Sequence, residues 1–209
     1  MKLRAAAAML LLLACAAARA QDKPVELQDK PVELIDEFVG IRFVPPKGTE
    51  RLGDEETARE FHIPGARLVA VYVAPKNTMM LAIDVFDAEA YGLPPGLTKD
   101  DQQALRQKLE SEIMADVPGV KWVSREVIRL NSYPWLRLRY NSSSGDEMAV
   151  DEYAIVWAGK LMALTYYCSA ENYERLRADF EKSAASFELF LSIPKENVKP
   201  AGRRGKRKP

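Results

Sequence analysis

Apolar and polar residues alternate with a period of two along much of this chain, and in two places the spacing stretches to that of a helix. Residues 40–44 alternate in strand fashion and halt at Pro45-Pro46-Lys47-Gly48, which cannot continue a ladder. Residues 54–62 predict a short helix with Asp54 as N-cap, ended by Pro64-Gly65. Two strong β runs, 67–74 and 79–86, flank Pro75-Lys76-Asn77-Thr78 and predict a hairpin. Thr98, with Asp101 three residues on, opens a helix whose Leu105, Leu109 and Ile113 fall on one face, and Val117-Pro118-Gly119 ends it. Residues 121–130 predict a further strand, turned by Asn131 to Pro134.

The stretch 133–187 is the clearest part of the pattern. In residues 135–140, Trp135, Arg137 and Arg139 share one side, and Leu136, Leu138 and Tyr140 the other. A loop over 141–146, a strand over 148–157, a tight turn at Ala158-Gly159 and a strand over 160–168 follow. Ser169 then caps a helix on which Tyr173, Leu176, Phe180, Ala184 and Phe187 form an apolar stripe. Tight turns between successive strands imply antiparallel pairing, and two separated amphipathic helices need a sheet to bury their stripes. The expected fold is therefore α+β, an antiparallel sheet of about six to seven strands flanked by helices.

Several of these features together resemble the PsbP/Mog1-like superfamily. They are an early strand running into Pro-x-Gly (Phe43 to Gly48), a long hairpin, a middle helix, and a closing β–β–helix unit that ends in Ala185-Ser186-Phe187. The likeness spans about residues 38–190. It implies an α/β/α sandwich and points to exported bacterial members of uncharacterised function. Some members of the superfamily are associated with calcium, but no matching ligand motif is visible here, so that property does not carry over.

Composition changes the picture mainly at the two ends. With 209 residues, 47% hydrophobic and 29% charged, the chain suits one globular domain, expected over 35–193. The formal charge of zero divides unevenly: +3 in residues 1–20, +6 in residues 195–209, and therefore −9 in residues 21–194. The N-terminus has the order of a secretory signal over residues 1–20: a basic start, an apolar run from Ala5 to Ala18, and Ala18-Arg19-Ala20 as the cleavage site. Leu12-Leu13-Ala14-Cys15 offers a competing reading, a lipobox in which Cys15 becomes the lipidated first residue. Either way the chain is expected to be exported, periplasmic or secreted, or lipid-anchored through Cys15. No transmembrane helix is expected once the signal is removed. Cleavage after Ala20 leaves Cys168 alone and so no intrachain disulfide.

Residues 21–34 are a perfect tandem repeat, QDKPVEL-QDKPVEL, and read as a duplicated linker. Residues 194–209 read as a disordered basic tail, in which Arg203, Arg204, Lys206, Arg207 and Lys208 could engage an anionic surface. The alternative is an inert solvated end. Export argues against nucleic acid as its partner.

The catalytic inventory is thin. His62 is the only histidine, and no nucleophile motif accompanies it, so it reads as a surface or helix-end residue. No catalytic residue, cofactor or metal site is assigned. Cys168 alternates with Met162, Leu164 and Tyr166, which predicts a buried thiol. Of the acidic pairs, Glu55-Glu56 and Asp100-Asp101 sit in first turns of helices, where the dipole accounts for them. Asp146-Glu147 and Asp151-Glu152 flank a hairpin and lack the spacing of a dedicated calcium loop. For recognition, the candidates are Trp135, Arg137, Arg139, Tyr153 and Trp157, read as arginines stacked on aromatics across an open sheet face. The competing reading buries these aromatics beneath the last helix and pairs the arginines with acidic neighbours. The favoured function is a non-enzymatic envelope protein that binds or assembles a protein partner or an anionic surface. An unrecognised envelope hydrolase and a purely structural envelope protein are the alternatives.

Overall fold

A computed structural model describes residues 33–36, 40–61, 66–94, 98, 100–143 and 147–190. Seven antiparallel strands make the main sheet. They are β3 (Glu50–Arg51), β4 (Ala66–Val73), β5 (Met79–Asp87), β6 (Lys121–Leu130), β7 (Tyr133–Ser142), β8 (Met148–Trp157) and β9 (Lys160–Ser169), in the spatial order β3-β4-β5-β9-β8-β7-β6. A second sheet of three short strands joins β1 (Leu34–Asp36), β2 (Ile41–Phe43) and β10 (Glu188–Leu189), with β2 in the middle. The helices are α1 (Asp54–Glu60), α2 (Gln102–Asp116) and α3 (Tyr173–Ala185).

β8 and β9 lie in the interior of the sheet, and almost all of their residues are buried. That requires cover on both faces, and the two core clusters show what supplies it. On one face Leu105, Leu109 and Ile113 of α2 pack on Leu136, Leu138, Tyr140, Ala154 and Val156. On the other, Leu176, Phe180 and Ala184 of α3 pack with Trp135, Tyr153, Leu164 and Tyr166, and Ile41 and Phe43 of the small sheet join the same cluster. Leu52 and Phe61, on either side of α1, form a smaller cluster with Val71, Val73 and Met80. The fold is the expected α+β sandwich with helices on both faces.

The hairpins follow their turn chemistry. Asn131 and Ser132 between β6 and β7, and Ala158 and Gly159 between β8 and β9, all have positive φ (47°, 71°, 48° and 72°). Two such residues in succession make the turn whose twist matches a two-residue hairpin. Helix starts differ from expectation by a few residues. Gly53, not Asp54, precedes α1 as its cap. Asp101 is the cap of α2, and its carboxylate accepts from the Thr98 N–H (2.7 Å) and hydroxyl (2.8 Å), which together hold its pKa below the usual carboxylate range. Ser169 ends β9 and accepts a hydrogen bond from Asn172 Nδ2 (2.6 Å), and α3 begins only after the 3-10 turn Ala170–Asn172. Strands β1, β3 and β10, two or three residues each, lie outside what the alternation predicts, since so short a run carries no period.

Among the described residues no helix is long and apolar enough to cross a membrane.

Candidate functional site

Among the described residues a dense cluster of ionisable groups lies between the sheet and α3. Arg137 on β7 faces Tyr153 on β8 across the register, and Asp151 stands two pairs further along, opposite Arg139. This places Asp151 diagonal to Arg137 on the same face, within reach of a long side chain. The guanidinium grips the carboxylate in a fork, Nε to Oδ1 at 2.9 Å and Nη2 to Oδ2 at 2.7 Å. It also lies over the Tyr153 ring, 5.1 Å from the centroid.

Helix α3 supplies the rest of the shell. The Tyr173 hydroxyl donates to Asp151 Oδ2 at 2.9 Å, and Tyr153 donates to the same oxygen at 3.4 Å. Glu181 Oε1 accepts from Arg137 Nη2 at 3.0 Å and from Arg177 Nε at 2.9 Å. Arg139 donates to Ser124 Oγ at 2.7 Å and reaches the Tyr173 oxygen at 3.5 Å. Asp151 is wholly buried and Arg137 is 7% exposed.

Burial works against the Arg137 cation, but hydrogen bonds to Asp151 and its charge outweigh it and hold the guanidinium above its ordinary pKa. Burial likewise opposes the Glu181 carboxylate, and Arg177 with Arg137 overcome it and lower its pKa. Asp151 thus accepts four contacts beneath the helix, two from Arg137 and one each from Tyr153 and Tyr173. What this arrangement does chemically is clamp α3 to β7 and β8.

The expectation of an open recognition face at Trp135, Arg137 and Tyr153 is corrected by this geometry. Trp135 and Tyr153 are each 1% exposed, Trp135 beneath Phe187 (centroids 5.3 Å, edge-on) and Tyr153 against Tyr166 (5.8 Å). The physical reason is that this face also carries a helix, as the competing reading held. Arg139 and Trp157 remain half-buried, Trp157 edge-on to Tyr133 at 4.9 Å. Sequence reasoning missed Asp151 as the partner of Arg137, and with it Tyr173, Arg177 and Glu181. The available signal was alternation, which sets Asp151 on one side of its strand with Ala149, Tyr153 and Ile155, where a charge survives burial only when paired.

Among the described residues no group of three or more His, Cys, Asp or Glu side chains is placed to hold a metal ion. Cys15, His62, Asp146 and the basic tail lie outside the described residues.

Cys168 is buried on β9, as its place in the alternation predicts. Burial first, and then the Asp151 charge, push its thiol up to about 12 from an ordinary 9.0. Burial also raises the Tyr153, Tyr166 and Tyr173 hydroxyls above their ordinary value of 10.0. The unfolded chain sheds these protons first. Stability is therefore fully present below pH 9.0 and falls as pH rises from there, by up to about 1.4 kcal/mol per pH unit for each group involved. Two results are expected: urea midpoints that drop steadily above about pH 9, and Cys168 labelling, followed by mass spectrometry, that waits on unfolding at neutral pH. Labelling at the rate of a free thiol, or a flat alkaline stability profile, contradicts this account.

No protein-family model matches the sequence, and no curated protein does. Solved structures do match. The seven-stranded antiparallel sheet, the small three-stranded sheet and the helices on both faces define a PsbP/Mog1-like α+β fold. Cyanobacterial PsbP (CyanoP) from Synechocystis superposes with a TM-score of 0.53 at 13% identity, over 82% of this chain and 99% of that one. LpqN, described as involved in cell envelope biogenesis of Mycobacterium tuberculosis, gives 0.50 at 15% identity over 81% and 90%. The Ran-binding protein Mog1p of Saccharomyces cerevisiae gives 0.49 at 8% identity over 78% and 96%. At these identities the likeness establishes the fold alone.

Proposed function

We propose that this chain is an exported, non-enzymatic envelope protein that acts as a binding or assembly module, held against an anionic surface by its basic end. The observation that carries the reading is the separation of charge: −9 in residues 21–194 against seven Lys or Arg in residues 195–209, behind a signal-type N-terminus. A net-acidic body is repelled by acidic lipid or polymer, while clustered cations are drawn to it, so the chain is oriented with its tail towards the surface. The fold it shares with CyanoP and with LpqN, itself linked to envelope biogenesis, supports a place in the same setting. The ionic cluster under α3 supports it too, because its charges are spent on holding the fold together.

The test is co-sedimentation with vesicles rich in acidic lipid, for the full chain and for a chain lacking residues 199–209. At low salt the full chain is expected to sediment, with each tail charge contributing on the order of 1 kcal/mol, and the shortened chain to stay in the supernatant. Raising salt above about 0.5 M releases the full chain, since the Debye length then falls well below 10 Å. Equal, salt-insensitive sedimentation of both forms removes the proposal.

A further inference from the structure

The tandem repeat and strand β1 bear on each other. The second copy runs from Gln28 to Leu34, so its last two residues, Glu33 and Leu34, enter the described fold. Leu34 is 8% exposed and belongs to the core cluster that holds Phe43, Trp135 and Phe187. Glu33 pairs with Arg42 of β2 at 3.6 Å, and Asp36 pairs with Arg67 of β4 at 2.9 Å. Ile35, between them, is 50% exposed. The position beside β2 is thus read as Glu-Leu-x-Asp: an acid for Arg42, an apolar side chain for the core, an unconstrained residue, and an acid for Arg67.

The first copy satisfies the same reading. Val25-Glu26-Leu27-Gln28-Asp29 matches Val32-Glu33-Leu34-Ile35-Asp36 at every position except the exposed one, where Gln28 stands for Ile35. Asp29 comes from the start of the second copy and Asp36 from the domain, so the match runs past the repeat itself. Pro31 follows Asp29 by two residues and falls beyond a three-residue strand, where it costs no ladder bond.

We propose that the β1 position beside β2 accepts either segment, 33–36 or 26–29, so that the N-terminal strand can exchange register by seven residues. The exchange draws residues 30–40 into a loop and shortens the stretch before the domain by seven residues, up to about 25 Å of extended chain. An N-terminal anchor and the domain are then joined by a tether of two lengths. The register with residues 33–36 in place predominates, because closing a four-residue connection is favoured over an eleven-residue one about fivefold, and because the Gly40 N–H bonds Asp36 O at 2.8 Å only in that register. Arg42 and Arg67 are both about half exposed, so their ion pairs set register and contribute little stability. Leu34 carries the energy, and the test is made there.

Leu34→Ala, Leu27→Ala and the double variant are compared in the full chain by urea unfolding and by hydrogen exchange. Truncating a core leucine lowers a folding equilibrium on the order of 30-fold or more. With Leu27 present, the loss from L34A is expected to stop short of that, at the cost of exchange set by the longer loop and the lost Gly40 bond, and amides of residues 27–29 gain protection as those of 34–36 lose it. L27A alone leaves stability unchanged, and the double variant shows the full loss. An L34A loss that is the same whether or not Leu27 is present overturns the proposal. So does an L34A variant in which residues 27–29 remain as open to exchange as before.

Discussion

Asp151→Ala is expected to destabilise the protein by about 3–5 kcal/mol, because it strands a buried guanidinium. Arg137 loses both arms of its fork and keeps only Glu181, which is 40% exposed, and the Tyr153 ring. Tyr173 and Tyr153 lose the oxygen to which they donate. A cation cannot shed its proton here, since guanidinium remains charged at any accessible pH. Relief must come from water entering under α3 or from the helix lifting. The measurement is urea unfolding of D151A beside D151N and the pair R137M/D151L. The asparagine variant keeps acceptor capacity without charge and should fall between wild type and alanine. The apolar pair should recover most of the loss, because replacing both charges leaves neither one buried alone. A D151A loss under about 1 kcal/mol would show that the pair is solvated and that α3 is held by its apolar stripe alone.

How far this site was legible from sequence depends on sequence distance. Alternation correctly divided Trp135, Arg137 and Arg139 from Leu136, Leu138 and Tyr140, because that division is a property of a strand by itself. Which face is covered is not such a property. It depends on α3 returning over β7 and β8 from well outside those strands, so the same residues read equally well as an open surface and as a core. The stripe Tyr173, Leu176, Phe180 and Ala184 announced a helix needing a sheet face, and the periodic positions of α2 announced a second. Two helices can share one face of a sheet or take one each, and the α/β/α sandwich that the resemblance implied puts one on each. Taking that implication one step further would have placed Arg137 inside, and a buried arginine requires a buried acid. The small sheet was only partly within reach for a different reason: β2 falls in the predicted run 40–44, but its partners β1 and β10 are three and two residues long, and β10 pairs with β2 across nearly the whole domain.

Phe187→Ala is expected to cost about 3–5 kcal/mol, the range for removing a buried aromatic, and to loosen the small sheet first. The ring is 2% exposed, 5.3 Å from Trp135 and 5.9 Å from Phe43, so it bridges the small sheet to the large one, beside the Phe43–Tyr72 contact and the Asp36–Arg67 ion pair. Its neighbours in Ala185-Ser186-Phe187 hold the same junction through polar bonds. Ser186 Oγ accepts from the Val44 N–H at 2.9 Å, and Asn131 Nδ2 donates to the carbonyls of Ala185 (3.1 Å) and Phe187 (2.7 Å) from the turn between β6 and β7. The sequence signature that suggested the fold thus has a mechanical meaning: it locks the chain's end to β2 and to the β6–β7 turn. Asn131→Ala removes these polar bonds and also sets alanine at φ 47°, so it should cost on the order of 1–3 kcal/mol. In F187A, thermal unfolding should shift down by roughly 10 °C or more, and hydrogen exchange should show β1, β2 and β10 losing protection while β8 and β9 keep theirs. Uniform loss of protection across both sheets would mean that the two open as one unit, with Phe187 a core residue like any other and the junction no weaker than the rest.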